Sequence, residues 1–377
     1  MSDEKESTAA ESNKRKRDET EAARDNPNKD ICDLLLELAD HEKNADKEMF
    51  KSIAYRKAAQ ILAEHKHRVK SGKEAQEFPG IGEGIAAQID EFLVRGKTEK
   101  QEEAEHDEDA QEVGELSRVP GIGIARAREL KKQGIHTIED LKKHSDKLTE
   151  SQQIALRYLD DIEKPISRAR AKKIEESMES QLKKLHKDFE VTLCGAYRRK
   201  DDTILEIVAV VTHRSRESSK ELMAEVVDTL KKNGTLVEVM TQGENRLKGI
   251  MSSSSSGGQK DGEEEDGEEE DGPAKKKAKN GNHGGKGEDH HYLALYLYAE
   301  SQYYSAILKW TGNDLFIQEL NSKAKAKGYK LNEYGLHKSR NDEGDTGNEG
   351  TVKINSEEDI FRALDMEYVP PEKRNVS

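Results

Sequence analysis

Cysteine, tryptophan, proline and long apolar runs are all scarce in this sequence. Its 377 residues include two cysteines, one tryptophan and seven prolines. The two cysteines, Cys32 and Cys194, are too few for a disulfide scaffold and favour a reducing compartment. No apolar run approaches the roughly 18–20 residues of a membrane span, and the first residues lack the apolar stretch of a signal peptide. We therefore expect neither membrane association nor secretion.

Hydrophobic residues are also few, whereas charged residues are many. They make up 33% and 37% of the chain, against about 45–50% and about 25% in average soluble domains. Part of the chain is therefore predicted not to fold. The remainder is long enough for two or more domains of roughly 100–200 residues.

The charges are unevenly spread along the chain. Acidic residues number 77 and basic residues 63, which gives a net charge of −14. The acidic residues concentrate at 99–115 and in a low-complexity stretch at 252–289, whereas 56–73 and 117–147 are basic. A cationic surface for nucleic acid is therefore compatible with an acidic chain.

Two segments are predicted to be disordered. Residues 1–29 are polar without periodicity, and 252–289 run from serine and glycine through an acidic block to a lysine block. The cluster Lys14–Arg17 is typical of a nuclear-import signal, so we expect a nuclear protein, although a solvated charge run has the same composition. The acidic insertion is suited to binding basic proteins or import receptors, but a low-complexity loop without a partner remains an alternative.

A short motif occurs twice: FPGIG at 78–82 returns as VPGIG at 119–123, and a helical pattern follows each copy. Glycine permits a positive φ, and the N–H groups that open the next helix can hold a phosphate oxygen. Two copies predict helix-hairpin-helix motifs, which grip the nucleic-acid backbone without reading bases. The residues predicted to contact DNA are Gly80, Gly82, Gly84, Gly121, Gly123 and Ala125. Backbone carbonyls of such hairpins also hold K⁺ or Na⁺, and the predicted ligands are Gln76, Phe78, Ile81, Ser117, Val119 and Ile122.

Beyond the hairpins the chain resembles the family X DNA polymerases over nearly all of 30–375, except for the low-complexity insertion. The other matching segments are AYRKAA at 54–59, GIHTIEDL at 134–141, LCGAYRR at 193–199, QYY at 302–304, TGNDLF at 311–316 and LNEY at 331–334. The resemblance implies an α+β multidomain monomer that binds DNA. The implied parts are a disordered tail at 1–29, a helical N-terminal domain at 30–105, a helical DNA-binding subdomain at 106–165, a nucleotidyltransferase palm with a mixed sheet at 166–300, and a C-terminal α/β subdomain at 301–377.

The resemblance also implies a catalytic centre, but its residues are depleted. Family X enzymes extend a primer with two Mg²⁺ ions held by three carboxylates, two of which alternate along one strand. The matching positions hold Glu206, Val208 and Ala294. Valine and alanine offer Mg²⁺ no oxygen ligand, so Glu206 is the one catalytic carboxylate left. The nucleotide-binding residues implied by the resemblance are Gly195, Arg199, Gly312 and Asp314, and Lys309-Trp310 replaces the Tyr-Phe pair beside the sugar.

A second activity of the family, removal of 5′-deoxyribose phosphate, requires a lysine that forms a Schiff base. The matching position holds Gln88, and Gly84 replaces a second, phosphate-contacting lysine. The DNA-binding side chains that the resemblance still implies are Lys51, Tyr55 and Lys57. They would keep part of a 5′-phosphate pocket without its nucleophile.

Three functions follow from these patterns. The favoured one is a protein that binds gapped or nicked DNA in repair of the base-excision type, with both activities lost or severely weakened. The alternative is an active gap-filling polymerase that uses Glu206 with carboxylates outside the family pattern, such as Asp201 and Asp202. The third makes the acidic segments a docking site for basic proteins. His290 and His291, beside the insertion, are interpreted as solvated rather than as metal ligands.

Overall fold

The computed structural model describes residues 26–45, 49–216, 218–252, 289–338 and 350–374. The cluster Lys14–Arg17, most of the predicted tail and nearly all of the predicted insertion therefore lie outside the described residues. The chain divides into two compact units: the helical unit, Met1–Lys147 with Arg374–Ser377, and the sheet unit, Leu148–Lys373. Each unit has its own hydrophobic core.

The helical unit consists of short helices that enclose a leucine- and isoleucine-rich core. The helices are α1 Lys29–Asn44, α2 Met49–Glu64, α3 Gly72–Ala75, α4 Glu83–Arg95, α5 Glu99–His106, α6 Glu108–Ser117, α7 Ile124–Lys132 and α8 Ile138–Lys143. Leu35, Leu62 and Ile89 are fully buried where α1, α2 and α4 meet. Thr98 and Thr137 begin α5 and α8, because each side chain accepts a hydrogen bond from the backbone N–H three residues later.

The sheet unit combines helices with a mixed five-stranded sheet. Its helices are α9 Glu150–Arg157, α10 Leu159–Ile162, α11 Arg168–Leu185, α12 Gly195–Arg199, α13 Lys220–Lys232, α14 Tyr303–Thr311, α15 Asp314–Ala326 and α16 Glu357–Ala363. Its strands are β1 Phe189–Leu193, β2 Glu206–His213, β3 Leu236–Gln242, β4 Arg246–Ser252, β5 His290–Ala299, β6 Tyr329–Asn332 and β7 Gly335–Lys338. The sheet order is β1-β2-β5-β4-β3, with β2 and β5 parallel and the other neighbours antiparallel, while β6 and β7 pair separately. The predicted α+β fold is confirmed.

The two faces of the large sheet have different surroundings. Alternate residues of a strand point to opposite faces, so Ile207 and Leu293 belong to the main core with α11 and α13. Val208 and Ala294 point to the opposite face, which we call the site face. The site face carries Glu206, Val208 and Ala294, the three positions that the resemblance assigns to metal carboxylates.

A buried ion pair joins the short helix α12 to α16 near the C-terminus. Arg198 donates two hydrogen bonds to the carboxylate of Glu357, at 2.6 and 3.1 Å, and a third to the hydroxyl of Thr311 at 2.9 Å. The Glu357 side chain is only 4% exposed. Within the described residues no helix combines the length and apolarity needed to cross a bilayer.

The interpretation of His290 and His291 as solvated side chains is wrong. Both are buried, because they open β5 and pair with Ser252 and Met251 of the neighbouring strand. Nδ1 of His290 lies 3.1 Å from the carboxylate of Asp161. Neither ring nitrogen of His291 has a hydrogen-bond partner among the described residues, and burial, reinforced by the charge of Arg170, lowers its pKa to about 4.

This lowered pKa predicts a loss of stability in mild acid. An unfolded histidine takes up a proton near pH 6.5, whereas folded His291 stays neutral until about pH 4. Stability is therefore complete above pH 6.5 and falls as the pH is lowered toward 4, by about 3 kcal/mol in total. Urea unfolding of His291→Phe across this range is expected to show a flatter pH profile, with His144→Gln at an exposed site as the control. An unchanged slope in His291→Phe would contradict the assignment.

Candidate functional site

The two hairpins have the same backbone conformation. Gly80 and Gly121 lie at φ of 96° and 92°, a region that L side chains rarely adopt. The residues before the following helices, Gly82 and Gly123, have φ, ψ of −88°, 174° and −84°, 171°. The repeated motif therefore folds into one turn, used twice.

The start of each hairpin helix is open to a ligand. A Cβ atom added to Gly82, Gly84 or Gly123 would meet no other atom within 4 Å. Ile81 and Ile122, which lie between the motif glycines, are buried and anchor the turns. Since the first N–H groups of a helix have no intrahelical acceptor, both turns present donors to an approaching phosphate.

The acidic stretch at 99–115 forms α5 and α6, and its carboxylates pair with basic residues of the helical unit. Lys131 contacts Asp109 and lies 2.6 Å from Glu112, and His136 lies 3.0 Å from Glu112. The hydrogen bonds from Lys131 and His136 lower the pKa of the Glu112 carboxyl. Part of the basic charge at 117–147 is thus neutralised within the unit.

The side chains of the expected 5′-phosphate pocket have different environments. Lys51 and Lys57 are exposed, whereas Tyr55 is buried and its hydroxyl accepts a hydrogen bond of 3.0 Å from Lys100. Gln88, which the resemblance places at the Schiff-base lysine, turns its amide oxygen inward, where the oxygen has no hydrogen-bond partner within the part of the chain that the structure describes. Sequence reasoning missed Lys100, although a single lysine within an acidic run is an unusual feature.

In the sheet unit, strand register brings together the three positions that the resemblance assigns to metal carboxylates. Val208 of β2 is paired directly with Ala294 of β5, and Glu206 with Tyr292. On the other side of β5, β4 contributes the next residue of each row. The three rows of the site face are Glu206–Tyr292–Ile250, Val208–Ala294–Lys248 and Val210–Tyr296–Arg246.

Apolar and aromatic side chains occupy the place of the carboxylates. Val208 and Ala294 are 8% and 4% exposed, and Val208 packs so closely on Gly195 that a Cβ there would lie 3.2 Å from it. The rings of Tyr296 and Trp310 stack with centroids 3.5 Å apart and planes 14° apart. Among the described residues of the three rows, Glu206 is therefore the one carboxylate.

Glu206 lies at the open end of this face. Its side chain reaches solvent, but the protein atoms packed around its carboxyl remove part of its hydration and raise its pKa. The positive charges of Lys248 and Arg199 act in the opposite direction, and the charge of Asp314 adds to the increase.

The described residues do not fit a pair of divalent ions. They contain no group of three or more histidine, cysteine, aspartate or glutamate side chains arranged to hold a metal ion. Mg²⁺ requires oxygen ligands in near-octahedral geometry and is usually held by carboxylates, and the three rows of the site face contain one carboxylate, that of Glu206. Asp201, proposed as a substitute carboxylate, is paired with Arg199 instead.

The remaining nucleotide-binding positions cluster around Arg199. Its guanidinium donates to the backbone carbonyl of Thr311 and to the carboxylate of Asp201. Gly312, joined to Asn313 by a cis peptide bond, lies against the guanidinium, since a Cβ there would be 3.3 Å from it. Asp314 is exposed at the start of α15. Arg199, the expected triphosphate ligand, is thus engaged by protein groups.

Comparisons with known proteins match four domain families in chain order. These are a helix-hairpin-helix domain at 26–98, the fingers domain of DNA polymerase lambda at 114–163, the DNA polymerase beta palm at 165–269 and the DNA polymerase beta thumb at 306–375. DNA polymerase lambda of Arabidopsis thaliana is 27% identical over 329 residues, which cover 86% of this chain and 58% of that protein. DNA polymerase lambda of Rattus norvegicus is 26% identical over 345 residues, covering 90% and 55%. This chain thus spans less than three fifths of either relative.

Proposed function

Because this chain belongs to the family X DNA polymerases, we propose that it binds gapped or nicked duplex DNA through its two hairpins without catalysing nucleotidyl transfer. We place this activity in DNA repair of the base-excision type, in the nucleus. The hairpins hold phosphates through backbone N–H groups, so binding is independent of base sequence. A K⁺ or Na⁺ ion on the hairpin carbonyls would help to fix the two turns, whose backbones match.

The observation that carries the loss of transfer is the Val208–Ala294 pair. Phosphoryl transfer needs two ions, about 3.5–4 Å apart, that stabilise the attacking and leaving oxygens. Two buried hydrocarbon side chains in direct register cannot hold either ion. Glu206 alone supplies one carboxylate, and the ion pair of Arg199 with Asp201 removes both a nucleotide ligand and a substitute carboxylate.

The proposal also includes loss of the lyase activity. Formation of a Schiff base needs a primary amine at the position of Gln88, and an amide cannot replace it. Lys51 and Lys57 remain exposed and would contact the 5′ phosphate at a gap. Binding of basic proteins by 252–289 stays a separate prediction, because nearly all of that segment lies outside the described residues.

Two measurements test the proposed function. In anisotropy titrations, gapped DNA is expected to bind at least about tenfold more tightly than intact duplex, a difference of ~1.4 kcal/mol. Affinity should fall steeply with salt, because each phosphate contact releases counterions. Incubation of the gapped primer with nucleotides in Mg²⁺ and then in Mn²⁺ is expected to yield no extension.

Glu206→Gln distinguishes loss of catalysis from a displaced catalytic centre. If the chain extends the primer and this variant abolishes extension, the alternative of an active gap-filling polymerase is correct. Equal affinity for gapped and intact duplex would contradict the proposed binding itself.

A further inference from the structure

An unpaired lysine lies beside the missing carboxylates. Lys248 of β4 is directly opposite Ala294 in the antiparallel β4–β5 pair, where facing Cβ atoms are about 4.5–5.5 Å apart. Within the described residues its side chain makes no hydrogen bond or ion pair, and it is exposed. Its positive charge nevertheless acts on Glu206, which lies on the far side of β5.

A second cation accompanies it on the same strand. Arg246 lies two residues before Lys248 and therefore on the same face, where it pairs with Tyr296. Its guanidinium is exposed and, among the residues that the structure describes, has no hydrogen-bonded or ionic partner. Among the described strand residues, the site face thus carries two adjacent unpaired cations and one carboxylate, that of Glu206.

The side chains on β5 between these charges and Val208 are a small one, Ala294, and an aromatic one, Tyr296. Ala294 extends no further than its methyl group, so nothing on β5 in that row separates Lys248 from the space above Val208. Tyr296 is held flat against Trp310, whose indole N–H donates to the hydroxyl of Tyr298 at 2.9 Å. A lysine beside apolar side chains attracts a phosphate more strongly than a lysine in bulk water, because the effective dielectric constant is lower there.

A site that holds phosphate next to carboxylates needs positive charge between them. Divalent ions supply that charge where three carboxylates are present. Here two of the carboxylates are absent. Lys248 of β4 instead lies directly opposite Ala294, the third of the three positions. Removing two negative charges and providing one ammonium reverses the sign of the charge on that row.

We propose that Lys248, with Arg246, forms a phosphate-binding site on the site face that works without a divalent ion. This inference rests on the proposed function and specifies how the sheet unit contributes to it. Lysine binds phosphate as a compact point charge, and arginine adds a planar fork of donors. The phosphate belongs either to a DNA strand at the gap or to a nucleoside triphosphate, and the two sources are separated below.

The test compares Lys248→Met with Lys184→Met. Lys184 is an exposed lysine near the end of α11, the helix that packs on the opposite face of the sheet, so the control removes the same charge elsewhere. Affinity for gapped DNA is measured by anisotropy in EDTA and in MgCl₂ over a series of salt concentrations. A second arm titrates dATP by calorimetry in EDTA. Urea unfolding establishes that both variants retain the stability of the parent.

We expect the parent chain to bind gapped DNA at least as tightly in EDTA as in MgCl₂, because side-chain contacts to phosphate need no metal ion and Mg²⁺ competes for the same phosphates as a counterion. Lys248→Met should weaken binding by roughly five- to tenfold and reduce the salt slope by about 0.9, the contribution of one phosphate. Lys184→Met should change neither quantity. If the parent chain shows a heat of dATP binding that Lys248→Met lacks, the bound phosphate is that of a nucleoside triphosphate. If the parent shows no heat of dATP binding, the bound phosphate is that of the DNA strand.

Two outcomes overturn the inference. One is a strict requirement for Mg²⁺ in gap binding by the parent chain, and the other is an equal effect of the two lysine substitutions. These results are distinct from a failure of the proposed function. If the parent does not discriminate gapped from intact DNA, the proposed function fails, whereas preserved discrimination with an unaffected Lys248→Met variant removes only the phosphate site.

Discussion

Glu357→Ala is expected to lower the free energy of unfolding of the sheet unit by about 3–5 kcal/mol, because it leaves the Arg198 guanidinium without its carboxylate in a buried site. The bidentate geometry, at 2.6 and 3.1 Å, satisfies donors of a guanidinium that is only 21% exposed. The hydroxyl of Thr311 at 2.9 Å remains as one neutral partner of Arg198, which is too little to offset a charge removed from water.

Glu358→Ala provides the matched control. Glu358 is the next residue of the same helical turn and is exposed, so the substitution removes an equal charge from the N-terminus of α16 without disturbing the ion pair. Its effect should stay below about 1 kcal/mol. Urea denaturation followed by circular dichroism measures both variants, and a similar loss in each would show that the pair adds nothing beyond the helix-end charge.

Val208→Asp is expected to have an effect of comparable size, about 3–5 kcal/mol, since it places an unpaired carboxyl among hydrocarbon side chains. Val208 is 8% exposed and contacts the apolar cluster that includes Ala294 and Tyr296. The same substitution at Val237 on the edge strand β3, which is 38% exposed, should cost less than about 1 kcal/mol. The difference between the two sites isolates the contribution of burial.

The double variant Val208→Asp with Ala294→Asp tests whether Mg²⁺ stabilises a site face that carries three carboxylates. With Glu206 it places three carboxylates on two neighbouring strands. Mg²⁺ binds to carboxylate oxygens and not to the hydrocarbon side chains of the parent. Mg²⁺ should therefore recover part of the lost stability of the double variant and none in the parent. An equally large Mg²⁺ effect in the parent would mean that the native face already binds the ion.

Features set by local spacing were predictable from the sequence. The hairpins followed from a repeated motif, because a glycine at Gly80 or Gly121 permits the positive φ that the turn requires. The family resemblance assigned the metal positions to Glu206, Val208 and Ala294, and alternation along β2 predicted that Glu206 and Val208 share one face. Both rules act over a few residues and need no knowledge of which strands are neighbours.

Features that depend on pairing between distant segments were not predictable. The position of Lys248 beside Ala294 follows only from the register of β4 on β5. The neighbouring low-complexity insertion favoured a solvated interpretation of His290 and His291, yet the inner position of β5 buries both residues. The bond from Lys100 to Tyr55 likewise joins two helices that are far apart in sequence.

The stack of Trp310 on Tyr296 makes the site face observable without a label. Trp310 is the one tryptophan of the chain, so all indole fluorescence originates at this position. Its ring lies 3.5 Å from Tyr296 and its N–H is bonded to Tyr298, so its emission reports directly on changes at the row that contains Arg246. Selective excitation of the indole thus provides an intrinsic optical signal for occupancy of this face, separate from events at the hairpins.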